Sequence, residues 1–104
     1  MRVLFHPDYP NDIRKFEADY RAISSGLAAR FHKEITDALE IIKAALEAAG
    51  HFVQTGSQVV PEFRRRNLRA FPFFILYGIS DDRVIFGSLI PSRSDPLTWL
   101  TRFG

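Results

Sequence analysis

The sequence predicts an α+β domain of ordinary soluble composition, in which a helical hairpin packs on a small, mostly antiparallel sheet in the order β-α-α-β-β-β, closed by a short C-terminal helix or turn. Three observations lead there. Apolar residues recur at helical spacing between residues 13 and 46, β-branched and aromatic runs dominate residues 63–90, and the two regimes follow one another instead of alternating. With 104 residues the chain can bury one core but not two, so residues 1–104 are expected to form a single domain.

Val3-Leu4-Phe5, closed by His6-Pro7-Asp8, reads as the first strand. Asp8 then offers a helix N-cap, and Pro10 is tolerated in the first turn. Ile13, Phe16, Tyr20 and Ile23 follow on one helical face, and Ser24-Ser25-Gly26 is expected to break the helix. In the second helix Leu27, Phe31, Ile35, Leu39, Ile42 and Leu46 recur every three or four residues without an intervening proline, and Gly50 is a natural stop. So short a break predicts an antiparallel hairpin whose apolar stripes need a sheet to cover. Residues 51–61, HFVQTGSQVVP, are polar and aperiodic, which predicts a surface connection with a turn at Thr55-Gly56-Ser57.

Three strands are expected at about 63–71, 73–79 and 83–90, with Asp81-Asp82 turning between the last two. The central one, FFILYGI, is apolar on both faces apart from Gly78 and should be buried on both sides. Residues 96–103 are expected to form the closing turn or helix, anchored by Trp99.

Composition narrows the chemistry. The chain has no cysteine, which excludes disulfides, thiolate catalysis and thiolate zinc sites. It has neither a signal-peptide core nor a run of apolar residues as long as a membrane helix, so a cytoplasmic protein without membrane contact is expected. Net charge is +2, but residues 1–61 hold seven Lys/Arg against eight Asp/Glu, whereas residues 62–104 hold seven Arg against four acids. Arginine forks pair with phosphate or carboxylate, so the second half suits an acidic partner, either nucleic acid or an acidic protein surface.

The arginines of the first C-terminal strand are the leading site candidates. Strand alternation places Arg65, Asn67 and Arg69 on one face and Arg64, Arg66, Leu68 and Ala70 on the other. With Leu68 and Ala70 directed to the core, Arg65 and Arg69 would point outward as a rigid anion receptor. The competing reading is that such arginines keep a sheet edge soluble and pair with helix carboxylates. His6, His32 and His51 show no metal-ligand spacing, Asp8, Asp12, Asp81 and Asp82 read as caps and turns, and no nucleophile motif or Gly-rich phosphate loop occurs. No metal or other cofactor is expected.

Residues 63–96, FRRRNLRAFPFFILYGISDDRVIFGSLIPSRSDP, place Arg64-Arg65 before a strand, then Phe71-Pro72-Phe73, an alternating strand carrying Tyr77, an acidic turn, and Arg93-x-Asp95-Pro96. In that order they resemble the C-terminal half of the RelE/ParE toxins of bacterial toxin–antitoxin pairs, and the two preceding helices extend the likeness over nearly the whole chain. The resemblance implies a plasmid-stabilisation type toxin that arrests growth and is neutralised by a cognate antitoxin. It implies target or antitoxin binding by Arg64, Arg65, Arg66, Arg69, Arg93 and Trp99. If the chain is a nuclease, it implies a catalytic role for Arg65, Arg69 and Arg93.

In the family's ribosome-dependent mRNA endoribonucleases, basic residues hold the scissile phosphate while a Tyr or His moves protons. Many relatives have His three residues before the terminal arginine, where this chain has Ile90, and no Tyr follows Arg93. Trp99 can stack on a base but cannot supply an acidic proton. The departure favours the ParE-like members, which inhibit DNA gyrase through a binding surface and need no hydrolytic centre. Arg14, Lys15, Arg21, Arg30 and Lys33 on the hairpin would suit such a surface, or form an ordinary solvated helix face. The remaining readings are a RelE-like nuclease acting on ribosome-bound mRNA, and a non-toxic RNA-binding or degenerate toxin domain.

Overall fold

Strand β4 (Phe73–Ser80) organises the molecule, because nearly every residue in it is buried and its two faces feed two separate clusters. The computed structural model describes residues 2–46, 50–53, 62–80 and 82–94, with the backbone alone for 51–53. The other elements are β1 (Arg2–Phe5), α1 (Tyr9–Arg21), α2 (Ser25–Ala44), β2 (His51–Val53), β3 (Glu62–Asn67) and β5 (Arg83–Pro91). They form a five-stranded sheet in the order β1-β5-β4-β3-β2. β1 runs parallel to β5, and the other pairs are antiparallel. The fold is the expected α+β class, two helices packed on a mixed sheet.

On the helix side of the sheet, Phe73, Ile75 and Tyr77 of β4 join Phe31, Ile35 and Ile42 of α2 in the main core. Ile13, Phe16 and Tyr20 of α1 pack against it, as their spacing predicts. On the opposite side Phe63, Phe74, Leu76 and Ile90 form a second, fully buried cluster. The apolar character of both faces of β4 therefore reflects burial on both sides.

The β4–β5 register shifts between Leu76, opposite Ser88, and Tyr77, opposite Phe86, which leaves Gly87 as the extra residue of a bulge. Because side chains alternate, that single residue turns Phe86 and Leu89, three positions apart, toward the same helix-side core.

Several expectations are corrected. The helix break falls at Ala22-Ile23-Ser24, not Ser24-Ser25-Gly26: the Ser24 hydroxyl accepts from the Leu27 N–H at 2.9 Å, so Ser24 caps α2, and Ser25 and Gly26 are helical. Ile23 lies beyond α1 and is exposed, not part of its apolar face. Asp8 occupies the N-cap position of α1 without a side-chain capping bond. Asp12 is buried and accepts from the Leu89 N–H at 3.1 Å, tying α1 to β5.

Helix α2 ends at Ala44, well before Gly50. Residues 51–53, expected in a surface connection, form the edge strand β2. β3 stops at Asn67 instead of continuing to residue 71. The expected turn at Thr55-Gly56-Ser57 and the closing segment with Trp99 lie outside the described residues. Among the described residues, no helix is long and apolar enough to cross a membrane.

Candidate functional site

β3 distributes its arginines over both faces of the sheet. Phe63, Arg65 and Asn67 share one face, and since Leu76 and Phe74, opposite Arg65 and Asn67 on β4, belong with Phe63 to the second cluster, Arg65 lies over packed apolar surface. Its guanidinium carbon sits 3.8 Å from the Phe74 ring centroid, and Nη2 donates to Asn67 Oδ1 at 3.0 Å.

Arg64 faces the other way. Its Nε donates to Glu62 and its Nη1 donates to the Gly50 carbonyl at 3.1 Å, which fastens the connection after α2 to the sheet. Beside it, Tyr77 Oη donates to the Leu46 carbonyl at 2.9 Å. Burial raises the Tyr77 pKa, an effect partly opposed by the Arg64 and Arg66 charges.

Arg66 and Arg69 instead meet α2. With Arg30, Lys33, Ile41 and Leu68 they line a cleft of about 400 Å³ between that helix and the bend joining β3 to β4. Glu34 sets the bend's position. Its Oε1 accepts from the backbone N–H groups of Arg69 at 3.0 Å and Ala70 at 2.8 Å, so one carboxylate satisfies two donors of an exposed turn. Lys33 Nζ lies 2.8 Å from Asp37 Oδ2 across one turn of the helix.

Because β3 ends before it, Arg69 does not share a strand face with Arg65, and Ala70 is exposed rather than directed to the core; only Leu68 is buried as expected. Arg93 is exposed in the turn after β5, where the Ser92 N–H donates to the Pro72 carbonyl at 2.9 Å. That bond brings the Arg93 turn to the same end of the sheet as the Arg69 bend. The structure therefore groups Arg66 with Arg69 and places Arg93 at their end of the sheet, while Arg64 and Arg65 are engaged elsewhere.

Sequence reasoning named Arg30 and Lys33 only as hairpin surface, and missed Glu34, Ile41 and the cleft. The adjacent pair Ile41-Ile42 carried a signal, because neighbouring helical residues point about 100° apart and one stripe cannot bury both. Ile42 is fully buried, whereas Ile41 is 44% exposed.

Among the described residues, groups suited to proton transfer lie elsewhere. Ile90, where the resemblance would have placed a His, is fully buried in the second cluster. Tyr9 is buried beside Phe5 and Phe86, Tyr20 packs among Phe31, Phe71 and Phe73, and His32 Nδ1 contacts Glu17 Oε1 at 2.9 Å. Among the described residues, no three His, Cys, Asp or Glu side chains cluster as metal ligands.

The chain matches no protein-family model and no curated protein sequence. Among solved structures, it is similar to a chain of the structure titled "Chromosomal ParDE TA system from P. aeruginosa", with a TM-score of 0.68 and 16% identity over 88% of this chain and 95% of that one. The likeness is one of fold: two helices on a mixed sheet, in a RelE/ParE-like arrangement.

Proposed function

We propose that this chain is the toxin of a type II toxin–antitoxin pair, ParE-like in action, arresting growth by inhibiting DNA gyrase and neutralised by a cognate antitoxin. The observation that carries this reading is the fold shared with a chain of the ParDE structure over nearly the full length of both. The arginine-rich second half adds a surface suited to acidic partners.

The geometry favours inhibition by binding over RNA cleavage. General acid–base cleavage needs a proton-transfer group within hydrogen-bond reach of the reacting atoms. Among the described residues, the cleft lining combines cationic, carboxylate and apolar side chains with Asn67, and includes no His or Tyr.

The test is controlled expression in a bacterial host, with and without the adjacent small reading frame. Arrest relieved by the neighbour is expected; unimpaired growth with soluble protein confirmed would overturn the toxin reading. Purified protein is then expected to inhibit gyrase supercoiling, while primer extension on induced cells finds no codon-linked cuts. Discrete cuts with unaffected gyrase would instead establish the mRNA endoribonuclease. A combined R66A, R69A and R93A variant is expected to fold and lose arrest.

A further inference from the structure

We infer that the outer edge of β1 is a self-complementary interface through which two copies of this chain associate as a two-fold symmetric, antiparallel pair. The backbone decides which groups are offered. In the parallel β1–β5 ladder, Arg2 and His6 donate their N–H groups to the carbonyls of Asp82 and Phe86, both at 2.9 Å, so the even-numbered residues of β1 face β5. By alternation Val3 and Phe5 turn their N–H and C=O groups to the other edge, where no strand lies among the described residues.

Side-chain faces fix the register. Val3 packs against the helix-side core and Phe5 lies on the same face beside Tyr9 and Phe86, whereas Leu4, paired with Ile85, faces the other way. A two-fold axis perpendicular to the sheet keeps like faces together, so a residue can only meet one an even number of positions away. Placing the axis at Leu4 sets Val3 opposite Phe5 of the second copy, as a hydrogen-bonded pair that exchanges both bonds. Leu4 then meets its own counterpart as the closer, non-hydrogen-bonded pair. Each Phe5, 50% exposed in the single chain, covers a Val3 in an aromatic and β-branched cross-strand contact.

Charge favours the same placement. Arg2 is exposed and meets His6 of the second copy, whose Nδ1 lies 3.9 Å from Asp8 Oδ2. That carboxylate is more than half exposed and makes no capping bond to its own helix, so it can accept an arginine arriving from the second copy, and symmetry repeats the contact. An axis at Val3 would instead set Arg2 opposite Leu4 and forfeit that pairing. A strand of four residues gives a small contact, so the monomer prevails at low micromolar concentration. Association through this edge does not depend on what the chain's target is.

The experiment is sedimentation equilibrium of the purified full chain from about 10 μM to about 1 mM. The average mass is expected to rise from that of one chain toward that of two. R2E and D8R, both at exposed positions, should each weaken the dimer at least about tenfold. The combined R2E and D8R variant, which exchanges the two charges, should restore it to within about threefold of wild type. The chain has no cysteine, so L4C places one thiol on the two-fold axis, where Cα atoms about 4.5 Å apart suit a disulfide. Under oxidant, L4C is expected to cross-link as a dimer much faster than A70C, whose exposed site lies in the β3–β4 bend.

Circular dichroism confirms that each variant is folded, and the charge series carries the test alone if L4C unfolds. A mass that stays at one chain throughout, a dimer indifferent to R2E and D8R or not restored by their combination, or L4C cross-linking no faster than A70C would each overturn the interface. Because no growth phenotype enters these measurements, their failure is distinguishable from failure of the toxin reading.

Discussion

Tyr9 brings a phenol into the core, and among the described residues its oxygen finds no partner. The residue is 1% exposed, its ring lies near Phe5 and Phe86, and no described group hydrogen-bonds its Oη. Burial, reinforced by the Asp12 carboxylate, raises its pKa far above the ordinary tyrosine range. A raised folded-state pKa means that the stability linked to the neutral phenol is fully present below the ordinary value of 10 and is lost as pH rises toward the folded value. Tyr9→Phe is therefore expected to leave neutral-pH stability unchanged or to raise it by up to about 1 kcal/mol, and to flatten the alkaline decline in urea melts. A loss larger than that would show that the hydroxyl is bonded.

Gly50 is constrained by close approach: a Cβ there would lie 2.5 Å from Tyr77 Oη and 2.8 Å from the Arg65 carbonyl oxygen. Gly50→Ala is expected to lower stability by about 1–3 kcal/mol, measured as a shifted urea midpoint. The sequence marks this glycine as a helix stop, but its necessity comes from two groups 15 and 27 positions later in the chain, which no local pattern reveals.

At the scale of elements, α2 serves three neighbours with three stripes. One stripe enters the core through Phe31, Ile35 and Ile42, a second lines the cleft, and His32 reaches Glu17 of α1. Glu34 belongs to the second stripe and joins helix to bend. Glu34→Ala leaves two backbone donors without their carboxylate and is expected to cost about 1–2 kcal/mol. Asp37→Ala removes only an exposed pair one turn apart and should cost about 0.3–0.5 kcal/mol. Thermal melts of both variants check the order, and equal losses would remove Glu34 from its anchoring role. The periodicity of α2 was legible because the core stripe repeats over five turns. Its boundaries were not, since Ser24 and Ser25 are both capable caps and tertiary geometry selects between them.

For the whole molecule, stability should concentrate where the sheet is covered on both faces. β4 and the central part of β5 are buried, while among the described residues β1 and β2 lie at the sheet edges, each with one strand neighbour. Hydrogen exchange followed by mass spectrometry is expected to show slowest exchange in β4 and its paired residues of β5, and faster exchange in β1 and α1. Protection in β1 equal to that in β4 would mean that the edge opens only with the core. The parallel pairing of Arg2 with Arg83 also spans most of the chain, so β1 can complete the sheet only after β5 is in place.

The sequence by itself determined the α+β class, the helical hairpin, the doubly buried strand FFILYGI and the concentration of arginine in the second half. These follow from periodicity, apolar runs and composition, which are properties of neighbours along the chain. Tertiary structure alone decided the bulge at Gly87, the edge strand β2, and the sorting of the arginines into a packed Arg65, a clamping Arg64 and a cleft-lining Arg66 and Arg69. A side chain's face depends on register and on where a strand ends. Those are set by partners tens of residues away, through hydrogen bonds and packing that a linear pattern does not contain.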